Sequence, residues 1–269
     1  MQGFLTQWIV VVARWLLTGC ACLGAGLACA STDRPPAGQA SAVDPAQAAR
    51  AAQARAARHV DEATAVVTKM AALAPERDLL REARGVFIVP RYGRAALGVG
   101  AAGGAGVLVV KQAGGGWGGP AFYDLGALSA GAQAGGEGGA VVLALLNETA
   151  VNRFMQKTAF ALTAGVGLTL IDWSRRRQGA IGDGDVVIWS AVRGLYANLM
   201  ALGISGIRYN DTLTRAYYGQ SINLPDAVAG RYLNRQADAL RQALGAVAPA
   251  PPIGGNGASG SPPATGPPH

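Results

Sequence analysis

An α+β fold, with a compact, mostly antiparallel β core flanked by N-terminal and C-terminal helices, is predicted by three observations. Residues 46–74 contain no glycine and are rich in Ala, Arg and Gln, which is helix composition. Residues 85–219 alternate short β-type apolar runs with glycines. Residues 226–244 then return to an amphipathic helical pattern.

Each element follows in chain order. In the first helix Val60, Ala63, Val67, Met70 and Leu73 keep a spacing of three to four, so one face should dock. Pro75 opens a second, short helix, with Glu76 and Asp78 in its first turn and an end near Gly85. Strand-like runs follow at 86–89, 106–110, 141–145, 162–171, 185–190 and 199–209. The Gly/Ala/Ser-rich stretch 123–139 suits closely approaching strands, and 147–154 reads as a short helix. Asp183-Gly184 and Asn210-Asp211-Thr212 read as turns. Asp226–Leu244 should be one helix, with Leu233, Ala237, Leu240 and Leu244 on one face. These segments make up one domain over 46–247. Residues 31–45, with Pro35-Pro36, read as a flexible tether. Residues 248–269 hold seven prolines and no charged side chain other than the terminal His269, and read as a disordered tail.

Residues 1–30 read as a secretory signal. An apolar run, Trp15–Ala30, follows Arg14 and ends in Ala28-Cys29-Ala30, a small-x-small pattern before Ser31. Arg14 interrupts what would otherwise be one membrane-spanning run, and charge at mid-bilayer is costly. Two cysteines lie in lipobox-like contexts, Leu17-Thr18-Gly19-Cys20 and Gly26-Leu27-Ala28-Cys29. Lipidation at Cys29 or Cys20, or cleavage after Ala30, all remain open. Each places the protein in the periplasm or on a lipid anchor at the outer membrane.

Composition narrows the chemistry. The three cysteines, Cys20, Cys22 and Cys29, all lie in the export segment, so no disulfide or thiol chemistry is expected beyond it. The two histidines are His59 and His269, neither in the β-rich region. Ser-His-Asp, Cys-His and His-based zinc sites are therefore excluded from the core, and no metal or cofactor is expected. Gly98-x-Gly100-x-x-Gly103, with Asp124 about twenty residues on, has dinucleotide-binding spacing. The run after it is β-branched, where the fingerprint needs a helix to present its N-terminal amides, so a glycine-rich hairpin is expected instead. Asp124, Glu137, Glu148, Asp172, Asp183, Asp185 and Asp211 leave a two-carboxylate hydrolase as a remote alternative. The formal net charge of +7 suits an anionic partner. Arg175-Arg176-Arg177 is the densest basic run and reads as a loop; Arg91 and Arg94, around Tyr92, form a lesser cluster. Export and the scarcity of interleaved aromatics argue against nucleic acid.

The β-rich segment resembles the SYLF domain family in six ordered blocks. These are Ala83–Pro90, the glycine hairpin Gly98–Val110, Trp117-Gly-Gly-Pro-Ala-Phe-Tyr123, Gly131-Ala-Gln-Ala-Gly135, Ser190-Ala-Val-Arg193-Gly-Leu-Tyr-Ala197, and Asn210 through Tyr217-Tyr218-Gly219. The blocks span about residues 75–220. Leu202 stands where family members often carry an acid, and Gly138-Gly139 where Thr-Asp is common. The resemblance implies a non-enzymatic, lipid-binding domain. Phosphoinositide and actin binding belong to eukaryotic members, and an exported chain carries over only phospholipid affinity. Arg175, Arg176, Arg177, Arg91, Arg94 and Arg193 are then the candidate headgroup contacts. The expected function is phospholipid or membrane binding in a bacterial cell envelope. A structural or interaction protein with a protein partner there is the alternative.

Overall fold

In the computed structural model the described residues are 44–247, apart from 98, 131–134, 157–158, 163–167, 180–183, 192–203 and 233. They fall within one unit that begins at Val43. The export segment with Cys20 and Cys29, the block residue Arg193, and the tail lie outside the described residues.

Helix α1 runs Pro45–Ala71, opened by Asp44, whose carboxylate accepts from the Ala46 N–H. Ala56, Val60, Ala63, Val67 and Met70 are buried at alternating spacings of four and three, a stripe that packs on two later helices and on the first strands. Leu73 does not join that stripe. The helix stops at Ala71, and Leu73 is extended and 53% exposed. The cause is Pro75: its ring would clash with the carbonyl four residues back, so the chain breaks and restarts as α2, Ala74–Glu82.

Eight strands form one curled sheet. They are β1 (Gly85–Leu97), β2 (Val99–Val110), β3 (Ala121–Ala130), β4 (Gly135–Leu145), β5 (Ala159–Leu162), β6 (Leu170–Asp172), β7 (Val186–Ser190) and β8 (Ile204–Tyr209). Their order is β5-β8-β3-β2-β1-β4-β7-β6, antiparallel throughout except for β6 beside β7. This is the expected α+β architecture. The dinucleotide-like glycines lead into β2, a strand and not a helix, as their β-branched sequel predicted. The expected strand at 162–171 is split between β5 and β6.

The central strands are buried on both faces, which explains their continuous apolar runs. Val86 and Ile88 of β1 face α1, while Phe87 and Val89 face the concave side. Helix α3 (Glu148–Gln156) drops Phe154 into that concave core, against Phe87, Tyr123 and Phe160. Pro90 sits in the most central strand, where it lacks the N–H a ladder needs. Its neighbourhood is a bulge: β1 carries one extra residue relative to both β2 and β4 between Val89 and Tyr92, and pairing resumes beyond it.

The C-terminal part differs from expectation. After α5 (Asp211–Tyr218), the expected single helix over 226–244 is instead α6 (Leu224–Val228), a 3₁₀ turn at Arg235–Ala237 and α7 (Asp238–Gly245). The run between Asn210 and Thr212, read as a turn, is the start of α5, with the Asn210 side chain accepting from Leu213 N–H. Gly230, at φ 68°, ends α6 in the left-handed region, and Asn234 caps the 3₁₀ turn. Ala237, Leu240 and Leu244 still share one buried face; Leu233 lies outside the described residues.

Two sequence blocks meet as one joint. Tyr218 Oη donates to Pro120 O (3.0 Å), Thr214 Oγ1 accepts from Phe122 N–H (3.2 Å), and Gln112 Nε2 donates to Val228 O (3.0 Å). Gly118 and Gly119 let the backbone of α6 approach so closely that a Cβ on either would meet a carbonyl oxygen, at 1.8 Å and 2.4 Å. The Trp-x-x-Pro and Tyr-Tyr-Gly residues thus hold α5 and α6 to the end of the sheet.

Candidate functional site

The arginine run is a helix, not a loop: Trp173–Arg177 forms α4, capped by Asp172, which accepts from Ser174 N–H. It packs along α2. Trp173 Nε1 donates to the buried Glu76 (3.3 Å), in the first turn of α2, and Arg176 pairs with Glu82 at its end (2.7 Å). Together α2 and α4 carry five arginines against three carboxylates. Of those carboxylates Asp78 pairs with Arg81, Glu82 with Arg176, and Glu76 is buried against Trp173. Among the described residues Arg175 and Arg177 make no ion pair, and one guanidinium nitrogen each of Arg77 and Arg176 is buried without a partner. The exposed Leu73 immediately precedes α2, and Lys69 closes α1 beside it. The result is a basic edge with an apolar tip.

The second predicted cluster is separate. Arg91 emerges from the Pro90 bulge and makes a two-pronged pair with Glu62 of α1, one arm at 3.0 Å. Such surface pairs contribute little to stability, but this one leaves Arg91 engaged. Arg94 stands opposite Glu137 in the β1–β4 register.

His59, half-buried on α1, lies near the Arg91–Glu62 pair. Burial holds its imidazole below the ordinary value; Glu62 pulls the other way, and Arg91, Arg58 and Arg55 reinforce the burial. The folded pKa lies below the unfolded one, so this contribution is complete above about pH 6.5 and is lost as pH falls below it. Urea unfolding at about pH 7.5 and pH 5, on either side of the free histidine value, should show a larger fall for the wild type than for His59→Gln. Equal falls would mean His59 carries none of the pH dependence.

Among the described residues Asp124, Asp172, Asp185 and Asp211 each serve a local contact and do not face one another as a pair. Asp185 accepts from Thr169 N–H (2.6 Å) and Asn147 Nδ2 (2.5 Å), which lowers its pKa and ties β7 to the approach of β6. Asp124 accepts from Asn210, Asp211 pairs with Arg215, and Asp172 caps α4. No group of His, Cys, Asp and Glu among the described residues could hold a metal ion. No helix among them is long and apolar enough to cross a membrane.

The arrangement defines an α+β domain whose distinctive surface is a basic edge. Residues 126–247 match the family described as Ysc84, Las17-binding protein actin regulator, the SYLF domain family that the sequence blocks resemble. No curated protein and no solved structure matches the chain. The matched stretch begins within β3. The two strands at the centre of the sheet, β1 and β2, precede it.

Sequence reasoning had the arginine run but not its setting. The Glu76–Trp173 and Glu82–Arg176 contacts join residues nearly a hundred positions apart, and neither spacing nor periodicity carries that information. The exposure of Leu73 had a local signal, Pro75, which limits how far the preceding helix can run.

Proposed function

We propose that this chain is a non-enzymatic domain that binds an anionic phospholipid surface in a bacterial cell envelope, through the edge formed by α2 and α4. The observation that carries this reading is the basic helix α4, whose Arg175 and Arg177 make no ion pair among the described residues, tied through Trp173 and Arg176 to α2, which the exposed Leu73 precedes. Cations that approach headgroups contribute on the order of 1 kcal/mol each, and an apolar tip gains by leaving water. The family's description names a protein partner, Las17. A protein partner in the envelope is therefore the second reading. The signal-like segment supports export, and Cys20 or Cys29 would supply an anchor.

Co-sedimentation with vesicles tests it. Phosphatidylglycerol-containing vesicles should retain the protein, neutral ones should retain less, and salt should release it. Changing Arg175, Arg176 and Arg177 together to Ala should weaken retention on the order of a hundredfold at ~1 kcal/mol per cation. Leu73→Ser should weaken it further. Undiminished retention of the triple variant would remove this edge from the account, and no retention of the wild type would end the lipid reading.

A further inference from the structure

At the end of the sheet where α6 docks, two clefts meet. The larger, about 440 Å³, is lined by Val110, Val151, Met155, Pro225 and Val228, with Arg84, Lys111 and Glu148 among its polar groups. The smaller, about 330 Å³, is lined by Met155, Tyr209, Ile222 and Leu224, with Arg215 beside Asp211. Met155 lines both, and the consecutive residues Leu224 and Pro225 line one each. Both volumes fall in the range of small-molecule sites, roughly 300–1,000 Å³. Met155, Tyr209 and Leu224 are only partly buried and rest on the concave core. The floor of this groove is therefore the apolar interior of the sheet.

The polar groups have spare capacity. Among the described residues the Arg84 guanidinium and the Glu148 carboxylate line the same cleft without pairing to each other or to another charge. Among the described residues the Lys111 ammonium has a long contact to Arg81 O (3.5 Å) and lies 6.0 Å from the centre of the Trp117 ring. In the smaller cleft the Tyr209 hydroxyl is buried near Thr214 without a well-formed hydrogen bond. Two cations and one carboxylate at the mouth of an apolar groove complement a phosphate and an ammonium followed by a hydrocarbon chain.

We propose that this groove binds a single-chain zwitterionic phospholipid, with Arg84 and Lys111 on the phosphate, Glu148 on the ammonium, and the acyl chain lying over Met155 toward Leu224 and Ile222. The site is distinct from the α2–α4 edge and does not depend on its binding a bilayer. It lies close to it in the fold, since Arg84 follows α2 directly and Lys111 reaches the carbonyl of Arg81.

The test uses the full chain, titrated with palmitoyl-lysophosphatidylethanolamine below its micelle concentration and read by native mass spectrometry. One molecule per chain is expected. Glycerophosphoethanolamine, which has no chain, and palmitate, which has no zwitterionic head, should each bind at least about tenfold more weakly, the equivalent of one good contact. Arg84→Glu, at an exposed position, should weaken binding by about the same factor without moving the unfolding midpoint. Met155→Trp should fill the junction and abolish binding. Palmitate binding as tightly as the lysolipid would overturn the headgroup assignment. Undiminished binding by folded Arg84→Glu and Met155→Trp would overturn the location, and no saturable binding of any of the three would overturn the site. Vesicle retention by the Arg84→Glu protein separates failure here from failure of the membrane-edge reading.

Discussion

Phe154→Ala should destabilise the domain by about 3–5 kcal/mol, the range for removing a buried aromatic ring. The position is fully buried and joins three other rings, at centroid distances of 5.4 Å to Phe87, 5.5 Å to Tyr123 and 4.8 Å to Phe160. Tyr123 Oη also donates to the Phe154 carbonyl (2.8 Å), so the helix and the sheet are bound at this point by both packing and a hydrogen bond. Phe154 comes from α3, while Phe87, Tyr123 and Phe160 come from β1, β3 and β5. Loss of the ring should therefore loosen the concave core as a unit. Urea unfolding would show a lower midpoint with an unchanged slope. A loss below about 1 kcal/mol, far under the usual cost of such a truncation, would mean that the concave core does not depend on this ring.

Gly118→Ala should be the most damaging single-methyl addition outside the sheet. Its Cβ would lie 1.8 Å from the Val228 carbonyl oxygen and 2.6 Å from Gln112 Nε2. Overpacking costs typically 1–3 kcal/mol, and more when nothing nearby can yield. Gln112 can swing away, but the carbonyl belongs to the backbone of α6, so about 3 kcal/mol or more is expected. At roughly 2–4 °C per kcal/mol for a domain of this size, the melting temperature should fall by roughly 6–12 °C. Thermal unfolding followed by circular dichroism measures it. The same change in Gly114, where a Cβ meets nothing within 4 Å, is the matched control. Equal melting temperatures for the two variants would contradict the close approach of α6.

Much of the fold was legible because its signals are local. The spacing of Val60, Ala63, Val67 and Met70 selects the buried face of α1, and the β-branched sequel to Gly98–Gly103 excludes a nucleotide loop. Errors arose where a local stop was outweighed by periodicity. Gly230 and Asn234 break the run from Asp226 to Leu244, although Leu240 and Leu244 keep helical spacing. Leu73 continued the apolar stripe in sequence, but Pro75 prevents the helix from reaching it. The candidate sites were least legible. Arg175–Arg177 could be singled out as a charge run, yet its pairing with α2 depends on the tertiary path, as does the groove shared by Met155 and Leu224. The block residues Pro120 and Tyr218 carried a family resemblance in the sequence, and the structure shows them holding a joint.

The strand order also bears on how the chain reaches its folded state. Successive hairpins can assemble β1, β2 and β3 and then add β4, all from consecutive sequence. The strands that complete the two sides, β7 beside β4 and β8 beside β3, come later, and Asp124 waits for Asn210 across 86 residues. Contacts of such separation are slow to form. A chain emerging N-terminus first therefore exposes the unpaired edges of β3 and β4 until residues 186–209 arrive, and open strand edges recruit other chains. The step most in need of a chaperone is the interval between making β4 and making β8.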